Sequence, residues 1–278
     1  NTRRGRIPVL FFAATHDRIL ANPESEIARV YRGESDSDPL QPFLELVELE
    51  RESIVHNMRT RSVQTNEVGR SVVHLVLSHW ITTLGIEQFN LLEIGASAGL
   101  NLNFDKFYGC FGQLRMGDPS SSLRFMGDWF SNAPDVPRIG AVAINKRGCD
   151  ISPLDVTQTD DEVRLLSFVW PDQRLRLDRL RSAISIAKTH RPAVDTASAD
   201  EWIAQQLSRP SDQATLIFHS IVWQYLGTET LNKLKQAIYN AGKSATPTAP
   251  IVWARMEPAG PVADIQVDVF DGSSPEPR

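Results

Sequence analysis

Over roughly the first 88 residues the apolar positions recur at three- and four-residue steps, the period of helices that bury one face. The pattern predicts helices over residues 7–32 and 39–60, separated by the polar turn from Gly33 to Pro39. A third helix, capped by Thr65 or Asn66, would carry Val68, Val72, Leu75, Val76 and Trp80 on its apolar face. This stretch shows no alternating strand pattern.

At Phe89 the pattern changes. Phe89-Asn-Leu-Leu-Glu-Ile94 reads as a short apolar strand that runs straight into Gly95-Ala-Ser-Ala-Gly99 and a helix opening at Leu100-Asn101. Residues 107–128 scatter glycines among aromatics and predict a hairpin-like excursion. A strand at 139–144, extending toward Cys149, ends at Asp150-Ile151-Ser152-Pro153. A long helix broken near Trp170-Pro171 follows, then a strand at 192–195 and a helix from Ser198 or Asp200 to Leu207. The strand 214–218, a helix from Thr228 to Gly242 and strands at 251–254 and 265–270 complete the pattern. Strands alternating with helices imply a mostly parallel α/β sheet, whose ligands sit at the carboxyl ends of the strands.

Composition narrows the class. The 278 residues are 41% hydrophobic and 23% charged, enough to build a core, and this excludes a disordered tail. A net charge of −5 and a pI near 5.7 argue against a nucleic-acid partner held by bulk electrostatics. Arg174, Arg176, Arg179 and Arg181 do form a basic helix face, read as solvated with its stems packed along the helix. Cys110 and Cys149 form no C-x-x-C, which excludes a four-ligand zinc site and suits a reducing compartment.

No apolar run approaches the ~18 residues of a membrane span. Arg3, Arg4 and Arg6 before the apolar stretch 7–14 imitate a signal peptide, but that stretch continues into His16-Asp17-Arg18 and Ile19-Leu20 as an amphipathic helix would. The expectation is therefore a cytoplasmic protein without a membrane partner; nothing in the pattern specifies an oligomeric state. Because the chain begins with Asn and stops soon after Phe270, a nearly complete protein trimmed at both ends is expected.

The glycine turn is the most informative segment. Glycine directly after a strand permits positive φ and close approach of a ligand to bare backbone, and the following helix terminus offers unpaired N–H groups. A dinucleotide fingerprint fails, because Ser97 and Leu100 stand where its second and third glycines belong. A phosphate-binding loop fails as well, with Leu100-Asn101 in place of Gly-Lys. Gly95-Ala-Ser97-Ala-Gly99 does match the G-x-S-x-G elbow of serine hydrolases, with Ser97 as nucleophile and His219 downstream. That fold, however, places strands and an oxyanion loop before the elbow, where this chain is helical.

Phe89–Asn101 also resembles the first motif of class I S-adenosylmethionine-dependent methyltransferases, matching at Glu93, Gly95 and Gly99, with Ser97 where many members carry glycine. The resemblance covers about residues 88–270 and, with the helical pattern before it, implies an N-terminal helical cap over residues 1–88 and a Rossmann-like, mostly parallel sheet over 89–278, with an insertion near 107–138. It implies S-adenosyl-L-methionine as cofactor, held at Glu93, Gly95, Ala96, Ser97, Gly99 and Asn101. Asp150 and Ile151 look like the second-strand ending, where a carboxylate holds the ribose hydroxyls. Asp150 stands 55 positions past Gly95, and Asp118, at 23 positions, is the rival. Asp200, Glu201 and Trp202 resemble the ending that meets the adenine.

Phe218-His-Ser220-Ile-Val-Trp-Gln-Tyr225 resembles the segment bordering the transferred methyl group, without the Asn/Asp-Pro-Pro-aromatic form associated with methylating base or glutamine nitrogens. A small-molecule acceptor is the expectation. Together with Gln64–Arg70 and Val169–Asp172, these motifs look like a bacterial family of unknown function assigned to this superfamily.

His219 and Tyr225 are the candidate catalytic residues, His219 as a general base or as a histidine bonding its loop, Tyr225 as pocket wall or core. Arg70 either binds the cofactor's carboxylate from a lid or belongs, with Asn66 and Glu67, to a helix cap and surface pair. His74 and His79, five apart, share no metal-binding face and read as structural. A non-catalytic nucleotide-binding module is the remaining alternative.

Overall fold

The computed structural model describes residues 3–127, 129–130, 134–209, 211–260, 262–274 and 276–278. The chain opens with four helices where the apolar period suggested two: α1 (Arg3–Ala21), α2 (Glu26–Arg32), α3 (Leu40–Leu49) and α4 (Arg51–Thr60). Ser25 makes the first break, its Oγ accepting the Ala28 N–H as an N-cap, so α2 starts afresh. Glu50 makes the second break, serving as both the end of α3 and the start of α4. The next helix, α5 (Ser71–Trp80), begins past Thr65 and Asn66 and is preceded by a 3₁₀ turn at Val68–Arg70.

The strands follow as β1 (Gln88–Ile94), then a short excursion of β2 (Tyr108–Phe111), β3 (Leu114–Gly117) and β4 (Arg124–Met126), then β5 (Val142–Asp150). Helices α6 (Thr159–Ser167) and α7 (Arg174–Thr189) flank the expected break at Trp170-Pro171. The chain ends with β6 (Ala193–Thr196), α8 (Ala199–Gln206), β7 (Ala214–Ser220), α9 (Thr228–Gly242), β8 (Ile251–Ala259) and β9 (Val262–Phe270). After the glycine turn the helix is 3₁₀, spanning Leu100–Lys106 with a kink at Asn103.

Two compact units result. The first comprises residues 1–67 and 154–188, the second 68–153 and 189–278. This division differs from the expected boundary at residue 88 on two counts. Helix α5 belongs with the sheet, and α6 and α7 leave the α/β stretch to join the first helices, α6 packing on α1.

In the first unit Asp17, 1% exposed, accepts from Arg61 at 2.6 Å, Arg18 at 2.6 Å and Asn57 at 3.2 Å. A carboxylate taken out of water needs such partners, and losing one would leave a buried charge. Part of the predicted basic face is also engaged here, since Arg176 pairs with Glu67.

The second unit holds a six-stranded sheet in the order β6-β5-β1-β7-β8-β9, parallel except for the antiparallel β8–β9 pair. Counted along the chain, its strands run 3-2-1-4-5-6, the doubly wound order whose reversal falls between β1 and β7. Strand β1 is buried on both faces from Leu91 to Ile94, as a central parallel strand must be. Leu92, Ile94, Ile217 and Trp253 pack on one face with Trp202 and Ile203 of α8 and Leu234 and Ile238 of α9. On the other face the His74 ring of α5 lies between Phe104, 5.6 Å away, and Phe218, 4.1 Å away. The excursion forms a separate three-stranded sheet, β3-β2-β4.

Candidate functional site

The glycine turn leaves β1 at the point where the strand order reverses. Gly95, Ser97 and Gly99 all have positive φ, at 71°, 56° and 69°. A Cβ at Gly95 would lie 2.5 Å from Val222 Cγ2, and one at Gly99 would lie 2.6 Å from Val194 Cγ2. Both positions therefore need glycine for conformation and for space. The turn is fastened to β5: the Ala96 N–H donates to the Cys149 carbonyl at 2.9 Å, and the Ser97 N–H donates to Asp150 Oδ2 at 2.9 Å. Asp150 Oδ1 accepts the Ser152 N–H at 2.9 Å, so one carboxylate orders the ends of two neighbouring strands.

Asp118 does not come to this place. It lies in the β3–β4 connection, where the Ser120 N–H and hydroxyl bond its carboxylate and hold its pKa below the usual range. Of the two aspartates, Asp150 is the one hydrogen-bonded to the turn.

Below the turn, facing α5, Glu93 is 3% exposed and His74 is 1% exposed. His74 Nε2 lies 3.9 Å from Glu93 Oε1, beyond hydrogen-bond range. Among the described residues, Glu93 Oε2 has no hydrogen-bond partner. Burial pushes the Glu93 carboxyl up to about 8 against the opposing charge of Arg70, and burial pushes His74 down to about 3. Both groups are thus neutral near pH 7, as two ionisable groups in apolar surroundings should be. Arg70 donates from Nη1 to the Ser220 carbonyl at 2.9 Å and to Ser220 Oγ at 3.3 Å, which ties the start of α5 to the end of β7. His74, read as merely structural, therefore shares the site with Glu93.

On the opposite face His219, 1% exposed, is held at both ring nitrogens. Its Nδ1 donates to Glu257 Oε1 at 2.8 Å, while Nε2 accepts from Trp223 Nε1 at 3.1 Å. Burial, only partly offset by Glu257, lowers its pKa below the usual 6.5. The expectation of a general base meets a physical obstacle, because the lone pair that would take a proton is bonded to an indole N–H. Glu257 lies just past the strand predicted at 251–254, and its contact with a histidine 38 positions away has no local signature.

The remaining candidates scatter. Asn101 is buried, and Ile151 is 79% exposed just beyond β5. Asp200 and Glu201 occupy the first turn of α8. Trp202 corrects the adenine reading: it is 2% exposed in the core, and its Nε1 donates to Asp195 Oδ2 at 2.7 Å. An indole packed among Leu92, Ile94, Ile217 and Trp253 does not present a face to a ligand. Tyr225 is 47% exposed in a 3₁₀ turn, so it is not core. Asn66 and Glu67 belong to the first unit and Arg70 to the second.

A cleft of about 720 Å³ in the second unit lies elsewhere, lined by Asn90, Thr215 and Ile251 near the strand starts and by Leu207 and Ala241 near helix ends. This cleft and the switch point of the strand order lie at opposite ends of the sheet. The carboxyl ends are where the glycine turn, the fastened carboxylate and the buried ionisable groups converge. Among the described residues no group of three or more His, Cys, Asp or Glu side chains is placed to hold a metal ion, and no helix is long and apolar enough to cross a membrane.

No curated protein matches the chain. A family model described as "Uncharacterized protein conserved in bacteria (DUF2332)" matches residues 1–277, and the chain belongs to that family.

Proposed function

We propose that the protein is an S-adenosyl-L-methionine-dependent methyltransferase of the class I type, acting on a small-molecule acceptor. The observation that carries the reading is the Asp150 carboxylate, placed at the end of the strand next to β1 and bonded to the N–H of Ser97 in the glycine turn. This is where a doubly wound sheet binds a nucleotide, with a carboxylate for the ribose and bare backbone for close approach.

The residues suit the cofactor chemically. A carboxylate accepts at about four positions, so Asp150 can hold backbone N–H groups and ribose hydroxyls together. Arg70 places a guanidinium beside Glu93 at the end of β7, where it suits a ligand carboxylate. When bound, the cofactor would supply a methyl group on a positively charged sulfur. The protein's part is positioning: Gly95 and Gly99 let the turn take its left-handed form against Val222 and Val194, Asp150 fixes the sugar, and the β7 exit orients the acceptor. His219 is a strut of that exit, not the base of the reaction.

One observation favours a second reading. A positive φ at Ser97 is the backbone form of a strained nucleophile elbow. Against it, Ser97 is 6% exposed and the His219 nitrogen needed as base is occupied by Trp223.

Calorimetry with S-adenosylmethionine and with its demethylated product, S-adenosylhomocysteine, tests the proposal. Saturable binding of both is expected; absence of heat at millimolar ligand would overturn it. Labelling of Ser97 by a fluorophosphonate would install the hydrolase. Cofactor binding without turnover over a broad acceptor panel would leave a nucleotide-binding module.

A further inference from the structure

Beyond the cofactor site itself, the second unit contains a closed ring of hydrogen bonds at the β7 exit. Glu257 Oε1 accepts from His219 Nδ1 at 2.8 Å, from the Val222 N–H at 3.1 Å and from the Trp223 N–H at 3.4 Å. The Trp223 indole closes the ring by donating back to His219 Nε2. Inside it Ile221 has φ of 54°, a conformation that β-branched residues adopt only when their surroundings hold them there. The Val222 methyl is seated against Gly95, as the 2.5 Å approach to a Cβ at that position shows.

We propose that Glu257 is the positioning residue of the switch-point site: through its carboxylate and the His219 ring it holds Ile221–Trp223 so that Val222 sets the wall against Gly95. The ligand-binding part rests on the function proposed above; the clamp does not.

The charged groups around His219 are few. From β8 come Glu257, which favours its protonation, and Arg255, which opposes it and is itself paired with Asp268 of β9 at 2.8 Å. Lys235 of α9 lies over the Trp223 ring at 4.8 Å, and β1 places apolar Ile94 opposite His219. Removing the Glu257 charge while keeping the amide should therefore lower the protonation midpoint of His219 further, an effect that lost packing alone would not produce.

The test combines ring-nitrogen and backbone NMR of the full chain, with His219→Asn identifying the ring signals and a Gly95 variant identifying its amide. In the free wild type, His219 should be the neutral Nδ1–H tautomer; the Nε2–H tautomer would overturn the proposal. Glu257→Ala should shift the Gly95 amide signal and Glu257→Gln should largely preserve it. A Gly95 signal unmoved in Glu257→Ala would overturn the clamp even if no S-adenosyl ligand binds. If Glu257→Ala does not fold, Glu257→Gln decides: a lowered His219 midpoint supports the proposal, an unchanged one ends it. Should the wild type bind S-adenosylhomocysteine, Glu257→Ala should weaken it by about tenfold with substantial rescue in Glu257→Gln; equal affinity in Glu257→Ala would overturn the positioning role.

Discussion

Asp150 Oδ2 accepts the backbone N–H of Ser97 at 2.9 Å, across 53 positions of sequence. Hydrogen bonds to a charged acceptor contribute about 1.5–3 kcal/mol each. Asp150→Ala removes this bond and the one to Ser152, so the turn stays tied to β5 only through the backbone bond from Ala96 to Cys149. Calorimetry should show S-adenosylhomocysteine affinity falling by at least about tenfold. Asp118→Ala should leave it unchanged, because that carboxylate is spent on its own turn at Ser120. Equal losses in the two variants would return Asp118 to candidacy.

Glu93 and His74 give the protein a stability profile with two edges. The Glu93 carboxyl is raised from 4.5 to about 8, so its contribution is full below 4.5 and lost as pH rises through about 8. His74 is lowered from 6.5 to about 3, so its contribution is full above 6.5 and lost as pH falls through about 3. Between 4.5 and 6.5 the folded and unfolded chains then bind equal numbers of protons at this pair, and its contribution is flat. Melting temperature should fall from 6.5 toward about 8 in the wild type, and Glu93→Gln should abolish that alkaline fall. A variant with the wild-type slope would mean that Glu93 is ionised in the folded protein.

Much of this site could be read from residue order, because turn chemistry is local. A strand followed by Gly95-x-Ser97-x-Gly99 announces a backbone site, and the alternation of strands and helices announces where to look. Asp150 was legible from its place at a strand's end, but its preference over Asp118 rested on knowing which segment leaves the sheet. Contacts formed only by the fold were hidden: His74 meets Glu93 across two elements, and Glu257 meets His219 across β8 and β7. Trp202 misled because its acidic neighbours Asp200 and Glu201 mark the amphipathic start of α8 as well as they would mark an adenine site. The break at Ser25 was also masked, since Ile19 and Ile27 keep the helical period across it while a side-chain cap restarts the helix.

Ser97→Gly separates the two enzymatic readings in a single variant. Ser97 holds φ of 56°, a left-handed conformation that costs an L-residue about 1–2 kcal/mol and glycine nothing. Against this, glycine costs about 0.5–1 kcal/mol through the freer unfolded chain. The variant should melt at or slightly above the wild-type temperature and retain S-adenosylhomocysteine affinity, since the bond to Asp150 uses the backbone N–H. Fluorophosphonate should label neither protein. A wild type that is labelled, with labelling lost in Ser97→Gly, would replace the methyltransferase by a hydrolase.

Gly95→Ala and Gly85→Ala place the same strain in different surroundings. Both glycines have positive φ, 71° and 78°, so each substitution carries a left-handed penalty of about 1–2 kcal/mol. A Cβ at Gly85 meets nothing within 4 Å, whereas one at Gly95 is driven to 2.5 Å from Val222 Cγ2. Gly85→Ala should therefore lose only the conformational penalty in denaturant melts and bind S-adenosylhomocysteine normally. Gly95→Ala must also displace Val222, which is fixed through its N–H to Glu257, and should lose binding beyond its loss of stability. Shortening the obstacle distinguishes the two costs: Val222→Ala in the Gly95→Ala background should recover part of the affinity while the left-handed penalty persists. If the double variant binds no better than Gly95→Ala alone, Val222 is not the wall of the turn.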